Sequence, residues 1–254
     1  MVTDTEAIVL RQTRTVGGRR MILLFSRKFG KISVGTSLNE GGKNKSALAV
    51  RPFTNGRYEL FKGRDSYNLN HAQVLQSFYG IGEDLDKYMA ASYVLELTEK
   101  ILPDEMPQIK LYNLLLEFME ELENREKKHE TLVMAYMVKA LDILGSMPHI
   151  RGCVCCGSTE EHLKLFSVKE GGMICRKCGE NLKEEDGRPL IYETNFAIVD
   201  ILGYFQKHPI SAFRKLALEE KTLEKLQKIM KQYLAYHLDV KELKSEGFFR
   251  DGLS

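Results

Sequence analysis

Residues 153–179, CVCCGSTEEHLKLFSVKEGGMICRKCG, decide how the second half of the chain is organised. They hold two Cys-x-x-Cys pairs, Cys153 with Cys156 and Cys175 with Cys178, and 18 residues lie between the pairs. Two pairs at this spacing are typical of a zinc site. Each turn aims two thiolates at one point, and four thiolates complete the tetrahedral shell that one structural Zn²⁺ prefers. The sequence therefore predicts a zinc site with these four ligands.

The residues between the cysteine pairs indicate a β-hairpin. Residues 162–168 alternate as a strand does, and Gly171-Gly172 favours a turn into a second strand. A hairpin that joins two cysteine turns is the plan of a zinc ribbon, which we place in an insertion at 150–182. We expect the glycine after each pair, Gly157 and Gly179, to permit the backbone conformation that brings N–H groups to the sulfurs.

The cysteines have two rival interpretations. A Cys-x-x-Cys pair can be a redox dithiol, but two pairs at this gap favour a metal. A catalytic zinc needs an open position, which four cysteines would close. The fifth cysteine, Cys155, could replace a neighbour as ligand, although the spacing favours Cys153 and Cys156 and leaves Cys155 as a spare thiol.

The first 70 residues predict short strands separated by turn signals. Glycine pairs and the Asn55-Gly56 dipeptide are typical of the turns of a small barrel or sandwich. The predicted strands are 7–10, 21–25, 32–34, 47–50 and 58–61. A five-stranded OB-fold fits this size, and an SH3-like barrel would also fit.

Apolar residues with a helical period follow these strands. Val74, Leu75, Phe78 and Tyr79 share one helical face. The further predicted helical segments are 85–101, 111–122, 133–144, 196–205 and 216–238. The prediction is an α+β fold, with a small N-terminal β-barrel at 1–80 and a helical domain at 81–254 that contains the four-cysteine insertion.

Charge is distributed unevenly along the chain. The net charge is +2, but residues 1–80 hold 13 Lys and Arg against five Asp and Glu, which gives +8, and the remainder carries −6. Basic residues on flexible loops are suited to binding the phosphate backbone of a nucleic acid. The candidate DNA-binding residues are Arg11, Arg14, Arg19, Arg20, Arg27, Lys28, Lys31, Lys43, Lys45 and Arg51.

Four aromatic residues of this basic region, Phe25, Phe29, Phe53 and Tyr58, have two open roles. They could stack on nucleic-acid bases, or they could pack in the core, because a small barrel needs large apolar side chains. Packing in the core is the favoured interpretation.

The sequence predicts a protein without catalytic activity. It contains no Walker loop, no G-x-S-x-G and no H-E-x-x-H motif. Its apolar stretches are shorter than the roughly 20 residues that cross a bilayer, and its first residues lack a signal pattern. We therefore expect a cytoplasmic protein with no membrane contact, where reduced cysteines are metal ligands or free thiols.

The order of these features resembles the RecO family of bacterial DNA-repair proteins, and the likeness extends over essentially the whole chain. The first part of it is carried by short pieces of the basic region: residues 8–11, 23–26, 28–33, 45–46 and 51–53. The second part is carried by Leu144-Gly145, Pro148, both cysteine pairs, and residues 171–178, 233–238 and 243–245.

The resemblance implies a non-enzymatic recombination mediator with an N-terminal OB-fold. Such proteins bind single- and double-stranded DNA, anneal complementary strands, and with RecR help RecA to load on strands coated by single-stranded DNA-binding protein (SSB). RecA would then be an indirect partner, and the protein would associate with the nucleoid.

Two other classes of function stay open. A zinc-ribbon transcription or RNA-binding accessory protein would use the same basic domain on RNA or on a polymerase. An enzyme, either a thiol redox protein or a metal-dependent nuclease, would show dithiol cycling or Mg²⁺-dependent strand cleavage. Competition between single-stranded DNA and RNA separates the first alternative from a DNA-repair function.

Overall fold

The computed structural model describes residues 1–38, 45–64, 66–159, 163–182, 190–194 and 196–247. The chain forms two compact units, the first from Met1–His129 with Lys244–Ser254 and the second from Glu130–Leu243. The predicted boundary near residue 80 marks a change from strands to helices, and it stays a prediction. Within the described ranges, no helix has the length and apolar character needed to cross a membrane.

The first unit contains a closed five-stranded barrel in the order β1-β2-β3-β5-β4. Its strands are β1 Val2–Arg14, β2 Arg20–Ser26, β3 Gly30–Thr36, β4 Asn55–Lys62 and β5 Tyr67–Gln76. Neighbouring strands pair antiparallel except β3 and β5, whose parallel pairing closes the barrel. This is the predicted OB-fold, which is confirmed.

The length and bend of β1 allow this closure. Its first half pairs with β4 and its second half with β2, and the register shifts between Val9 and Arg11. Such an irregularity bends a strand and increases its twist, so one strand can serve two sides of a barrel. The apolar side chains that alternate along β1 and β2 fill the interior.

One strand prediction and one helix prediction are wrong. The run 47–50 is not a strand, because Lys45–Leu48 forms a short helix, α1, and Ala49 and Val50 are buried against the barrel core. The fifth strand is β5, which contains Val74 and Leu75 in place of the predicted helical face. Only Tyr67 and Ala72 of β5 are fully buried, so its alternation is weak in the sequence. Asn55-Gly56 is also not a turn but begins β4.

Three helices complete the first unit: α2 Tyr79–Gly82, α3 Leu85–Ile101 and α4 Ile109–Glu123. Asp84 caps α3, since its carboxylate accepts hydrogen bonds from the N–H groups of Asp86 and Lys87. The helix ends before Pro103, as predicted from the effect of proline on the preceding residue. On α4, Tyr112 donates a buried hydrogen bond of 2.7 Å to Oδ1 of Asn55 on β4.

Lys244 and Ser245, which follow the second unit, contact α3. The Glu96 carboxylate accepts hydrogen bonds from the backbone N–H groups of Lys244 and Ser245, each at 2.9 Å, and from the Ser245 hydroxyl at 2.6 Å. Burial opposes ionisation of Glu96, but these hydrogen bonds outweigh burial and hold its pKa below the usual range. These three hydrogen bonds, which we call the clamp, therefore fix residues 244–245 to the first unit.

The second unit is mostly helical and carries a small sheet with the order β7-β6-β8. The predicted helices 133–144, 196–205 and 216–238 and the predicted hairpin are confirmed, while the third strand, β8, was not predicted. The elements are α5 His129–Ile143, β6 Leu165–Ser167, β7 Gly172–Ile174, α6 Arg176–Asn181, β8 Ile191–Glu193, α7 Phe196–Lys207, a 3-10 turn Ile210–Phe213 and α8 Glu220–Leu238.

Candidate metal centre and nucleic-acid surface

Four cysteine sulfurs meet at one end of the β6–β7 hairpin. The Sγ atoms of Cys153, Cys156, Cys175 and Cys178 all lie within 4.8 Å of one another. The Sγ atoms of Cys156 and Cys175 are 3.9 Å apart. A tetrahedral Zn²⁺ with Zn–S bonds of about 2.3 Å holds its sulfurs about 3.8 Å apart. The arrangement therefore fits one zinc ion.

Backbone N–H groups around the cluster donate hydrogen bonds to the cysteine sulfurs. Cys175 N–H donates to Cys153 Sγ at 3.3 Å, and Cys178 N–H donates to Cys175 Sγ at 3.5 Å. Burial opposes ionisation of Cys153, but backbone N–H groups of Cys175, Cys156 and Cys155 lower its pKa to about 6. Hydrogen bonding to Cys175 and Cys156 raises the pKa of Cys178. A bound metal ion would offset the charges of four neighbouring thiolates.

The two glycines that follow the cysteine pairs act differently. Gly157 has φ +74, and its N–H donates to Cys153 O at 2.8 Å, so the first turn needs glycine as expected. Gly179 lies inside α6 instead, where an added Cβ would clash with the side chain of Leu165. A larger residue at this position would therefore displace the end of the Leu165 side chain.

Cys155 is not part of the cluster. It is exposed, and its thiol pKa is raised by burial of the sulfur and by the neighbouring Cys153. The prediction of a spare thiol agrees with this placement, although the ligand set as a whole stays a prediction.

Three of the predicted DNA-binding residues meet at one end of the barrel. Arg14 ends β1 and faces Arg20 across the β1–β2 hairpin, with Arg19 in the loop between them. Arg19 donates to the Asn68 side chain and Arg20 to the Leu38 carbonyl, and both partners are neutral. Like charges directly opposite each other destabilise a hairpin unless an anion lies near them. We call these three residues the arginine hairpin.

Other predicted DNA-binding residues are paired with acidic groups. Arg11 binds the Glu99 carboxylate of α3 through Nε, at 2.8 and 2.9 Å. Lys31 lies 3.1 Å from Asp104 and donates to the Glu99 carbonyl. These ion pairs reduce the charge that Arg11 and Lys31 offer to a phosphate.

Arg27 and Lys28 lie at the opposite end of β2, about 20 Å away for a strand of this length. Arg27 contacts Glu6 at 3.3 Å, and Arg57 approaches the same carboxylate at 3.6 Å. Lys28 donates to the Thr3 hydroxyl and lies over the Phe29 ring. The arginine hairpin and the β2–β3 turn with Arg27 and Lys28 are therefore two separate basic surfaces.

Three candidates remain, of which the structure describes the surroundings of one. Arg51 is half-buried in the segment between α1 and β4. Lys43 falls outside the residues that the structure describes, and for Lys45 only its position at the start of α1 is described.

Two cations that were not predicted lie near the arginine hairpin. Lys62 ends β4 with its ammonium 5.3 Å from the Tyr67 ring centroid, and Arg64 is exposed in the β4–β5 connection. Arg19 donates to Asn68 at the start of β5, directly after this connection, and Gly35 on β3 leaves room for its guanidinium. In OB-folds the β1–β2 and β4–β5 loops bind oligonucleotides. Basic composition over 1–80 was the only sequence signal for these two residues.

The aromatic alternatives are resolved in favour of packing for three of the four residues. Phe25, Phe53 and Tyr58 are buried, and Tyr58 donates a 2.6 Å hydrogen bond to the Ala49 carbonyl. Phe29 is half-buried against Tyr67, with ring centroids 5.7 Å apart.

Family models match nearly the whole chain. The model described as Recombination protein O N terminal matches residues 1–78, and Recombination protein O C terminal matches residues 82–247. The chain belongs to the RecO family. The resemblance stated from the sequence is thereby confirmed, and the barrel is the RecO N-terminal domain.

Curated RecO relatives match along nearly their full length. The DNA repair protein RecO of Alkaliphilus metalliredigens is 32% identical over 94% of this chain and 95% of its own. The protein of the same name from Caldanaerobacter subterraneus is 29% identical over 96% of each chain. The RecO likeness therefore covers both the barrel and the cysteine-bearing helical part.

Proposed function

We propose that this chain is a non-enzymatic, DNA-binding recombination mediator. It anneals complementary strands and, with RecR, assists RecA loading on SSB-coated single-stranded DNA during recombinational repair. The name of its relatives, DNA repair protein RecO, supports the repair setting. The proposed place of action is the cytoplasm, at the nucleoid.

The observation that carries the proposal is the arginine hairpin on an OB-fold. The hydrogen-bond partners of Arg19 and Arg20 are neutral, and Arg14 is exposed. The positive charges of these three arginines are therefore available to a phosphate. A cationic surface reduces the repulsion between two phosphate backbones, and base pairing then supplies the driving force for annealing. Such an activity needs no nucleophile, general base or nucleotide hydrolysis.

The cysteine cluster has a structural part in this proposal. Cys153, Cys156, Cys175 and Cys178 would hold one Zn²⁺ with no position left for water, so the ion would stabilise the β6–β7 hairpin rather than act on a substrate. Metal binding would then be measured as folding of the insertion.

The test is annealing of two complementary oligonucleotides coated with SSB, without ATP, across a salt series. We expect acceleration by the zinc-loaded protein that fades as salt rises. In a separate reaction that contains ATP, added RecR should shorten the delay before RecA filaments form. Competition with RNA of the same sequence is the control for specificity. Preference for RNA without annealing would favour the zinc-ribbon transcription or RNA-binding alternative.

A further inference from the structure

A groove begins beside the arginine hairpin and runs between β1 and α3. Its first part has a volume of about 560 Å³ and is lined by residues 10–13 of β1 and by the exposed side of α3. Its second part, about 340 Å³, lies under α2. Both parts share Pro52, Phe53 and Tyr88 as lining residues, so they are continuous. The strand that ends at Arg14 thus leads directly into the groove.

Tyr88 presents an exposed ring that its surroundings hold in place. The side chain is 47% exposed, yet the buried Phe53 meets it edge-on, with centroids 5.3 Å apart and an interplanar angle of 88°. Phe53 itself has φ 71, a conformation that is uncommon for a bulky residue. Strained backbone of this kind is concentrated at functional sites, where the surrounding structure holds it in place. Here the strained residue is Phe53, which packs against Tyr88.

Tyr79 is a second exposed tyrosine and lines the second part of the groove. It is 63% exposed at the start of α2, directly after the buried Phe78, whose φ of 48 is again left-handed. Each exposed tyrosine therefore neighbours a buried phenylalanine with left-handed backbone, Tyr88 through a ring contact and Tyr79 along the chain. Rigid exposed aromatic rings are the surfaces on which single-stranded nucleic acids stack their bases.

The charges of the groove suit a polyanion. Arg51, Lys100 and Lys244 line it, together with the ion pair of Arg11 and Glu99. The Glu96 carboxylate is engaged by the clamp at residues 244–245. Glu83 is exposed and adds a third carboxylate, so the four lining cations exceed the three lining acids by one charge.

We propose that this groove binds unpaired bases of single-stranded DNA, with Tyr79 and Tyr88 as stacking surfaces. This inference rests on the proposed function and extends it: the arginine hairpin contacts phosphates, and the groove distinguishes single strands from duplex. A duplex keeps its bases stacked on one another and cannot use the tyrosines. A mediator that holds single strands in this way releases them as pairing proceeds.

The test compares Tyr79→Ala and Tyr88→Ala with the wild type. Binding of an oligo-dT strand, of an abasic strand of equal length and of a duplex is measured by fluorescence anisotropy across a salt series. Loss of one stacked base weakens oligo-dT binding about ten-fold per tyrosine. Abasic and duplex affinities stay unchanged, and so does the salt slope, because tyrosine contacts no phosphate.

Two control variants and a crosslinking experiment test whether base stacking causes the effect. Tyr236→Ala removes a tyrosine of α8 that is 48% exposed and lies outside the groove, and it should leave oligo-dT binding unchanged. Tyr88→Phe keeps the ring, and it should bind as the wild type does. Photo-crosslinking of the wild type to oligonucleotides containing 5-iodouracil should label peptides that contain Tyr79 or Tyr88, independently of any substitution.

The outcomes separate this inference from the proposed function. A wild type that binds no DNA overturns both. Normal salt-dependent binding by the wild type, with equal oligo-dT affinity in the alanine variants and crosslinks elsewhere, overturns the stacking groove alone. Unchanged DNA binding combined with loss of RecR binding would make the tyrosines a protein-docking surface and would also overturn it.

Discussion

The arginine hairpin makes a quantitative prediction about salt dependence. The perturbation is the triple variant R14Q/R19Q/R20Q, which removes three charges and keeps side chains of similar length. Arg19 and Arg20 bind neutral partners, so the guanidinium charges themselves are lost without exposing an acid. Any effect on DNA binding should therefore come from lost phosphate contacts.

The expected magnitude follows from counterion release. Each phosphate contact on a single strand contributes about −0.7 to the slope of log affinity against log salt concentration. Loss of three contacts should make the slope shallower by about 2. Between 50 and 200 mM salt, affinity of the wild type should then fall about 20-fold further than that of the variant.

The assay is fluorescence anisotropy of a labelled oligo-dT strand at several salt concentrations. A matched control is R27Q/K28Q/R57Q, which removes three cations at the other end of β2, where Arg27 and Arg57 share Glu6. We expect this control to change the slope by well under 1. Equal effects of both triple variants would refute the assignment of DNA contacts to the arginine hairpin.

Three further predictions concern stability and the metal. Cys153→Ser should lose one equivalent of zinc by metal analysis and unfold the β6–β7 hairpin, whereas Cys155→Ser should keep its zinc. Tyr112→Phe should lower the free energy of unfolding by about 1–3 kcal/mol in urea titration, because it leaves Oδ1 of Asn55 buried without its donor. Glu96, whose folded pKa is lowered, stabilises the fold above the ordinary carboxyl pKa and loses that contribution as the pH falls through the lowered value. Glu96→Gln should therefore be less stable than the wild type near neutral pH, and the difference in urea midpoint should shrink in acid.

Features that depend on local spacing could be predicted from the sequence. A Cys-x-x-Cys turn brings two sulfurs together within four residues, so the cluster at Cys153 follows from spacing alone. The strong apolar period of 111–122 likewise fixes α4. These elements need no knowledge of distant contacts.

Features that depend on tertiary contacts could not be predicted. The apolar run 47–50 has the composition of a strand, but it is buried as a helical turn against the barrel core. Strand β5 turns Tyr67, Leu69, Ala72 and Val74 to the barrel core, but a register shift between Leu69 and His71 interrupts their alternation. Arg11 is paired with Glu99, which is 88 residues away, and no local pattern distinguishes it from the arginines that stay available.

The central claim is tested most directly by the annealing rate of two bare complementary strands, followed by stopped-flow fluorescence without nucleotide. The zinc-loaded wild type is compared with R14Q/R19Q/R20Q at each salt concentration. The account predicts faster annealing by the wild type at low salt, a decline as salt rises and little acceleration by the variant. A folded, zinc-loaded wild type that does not accelerate annealing at any salt concentration would contradict it.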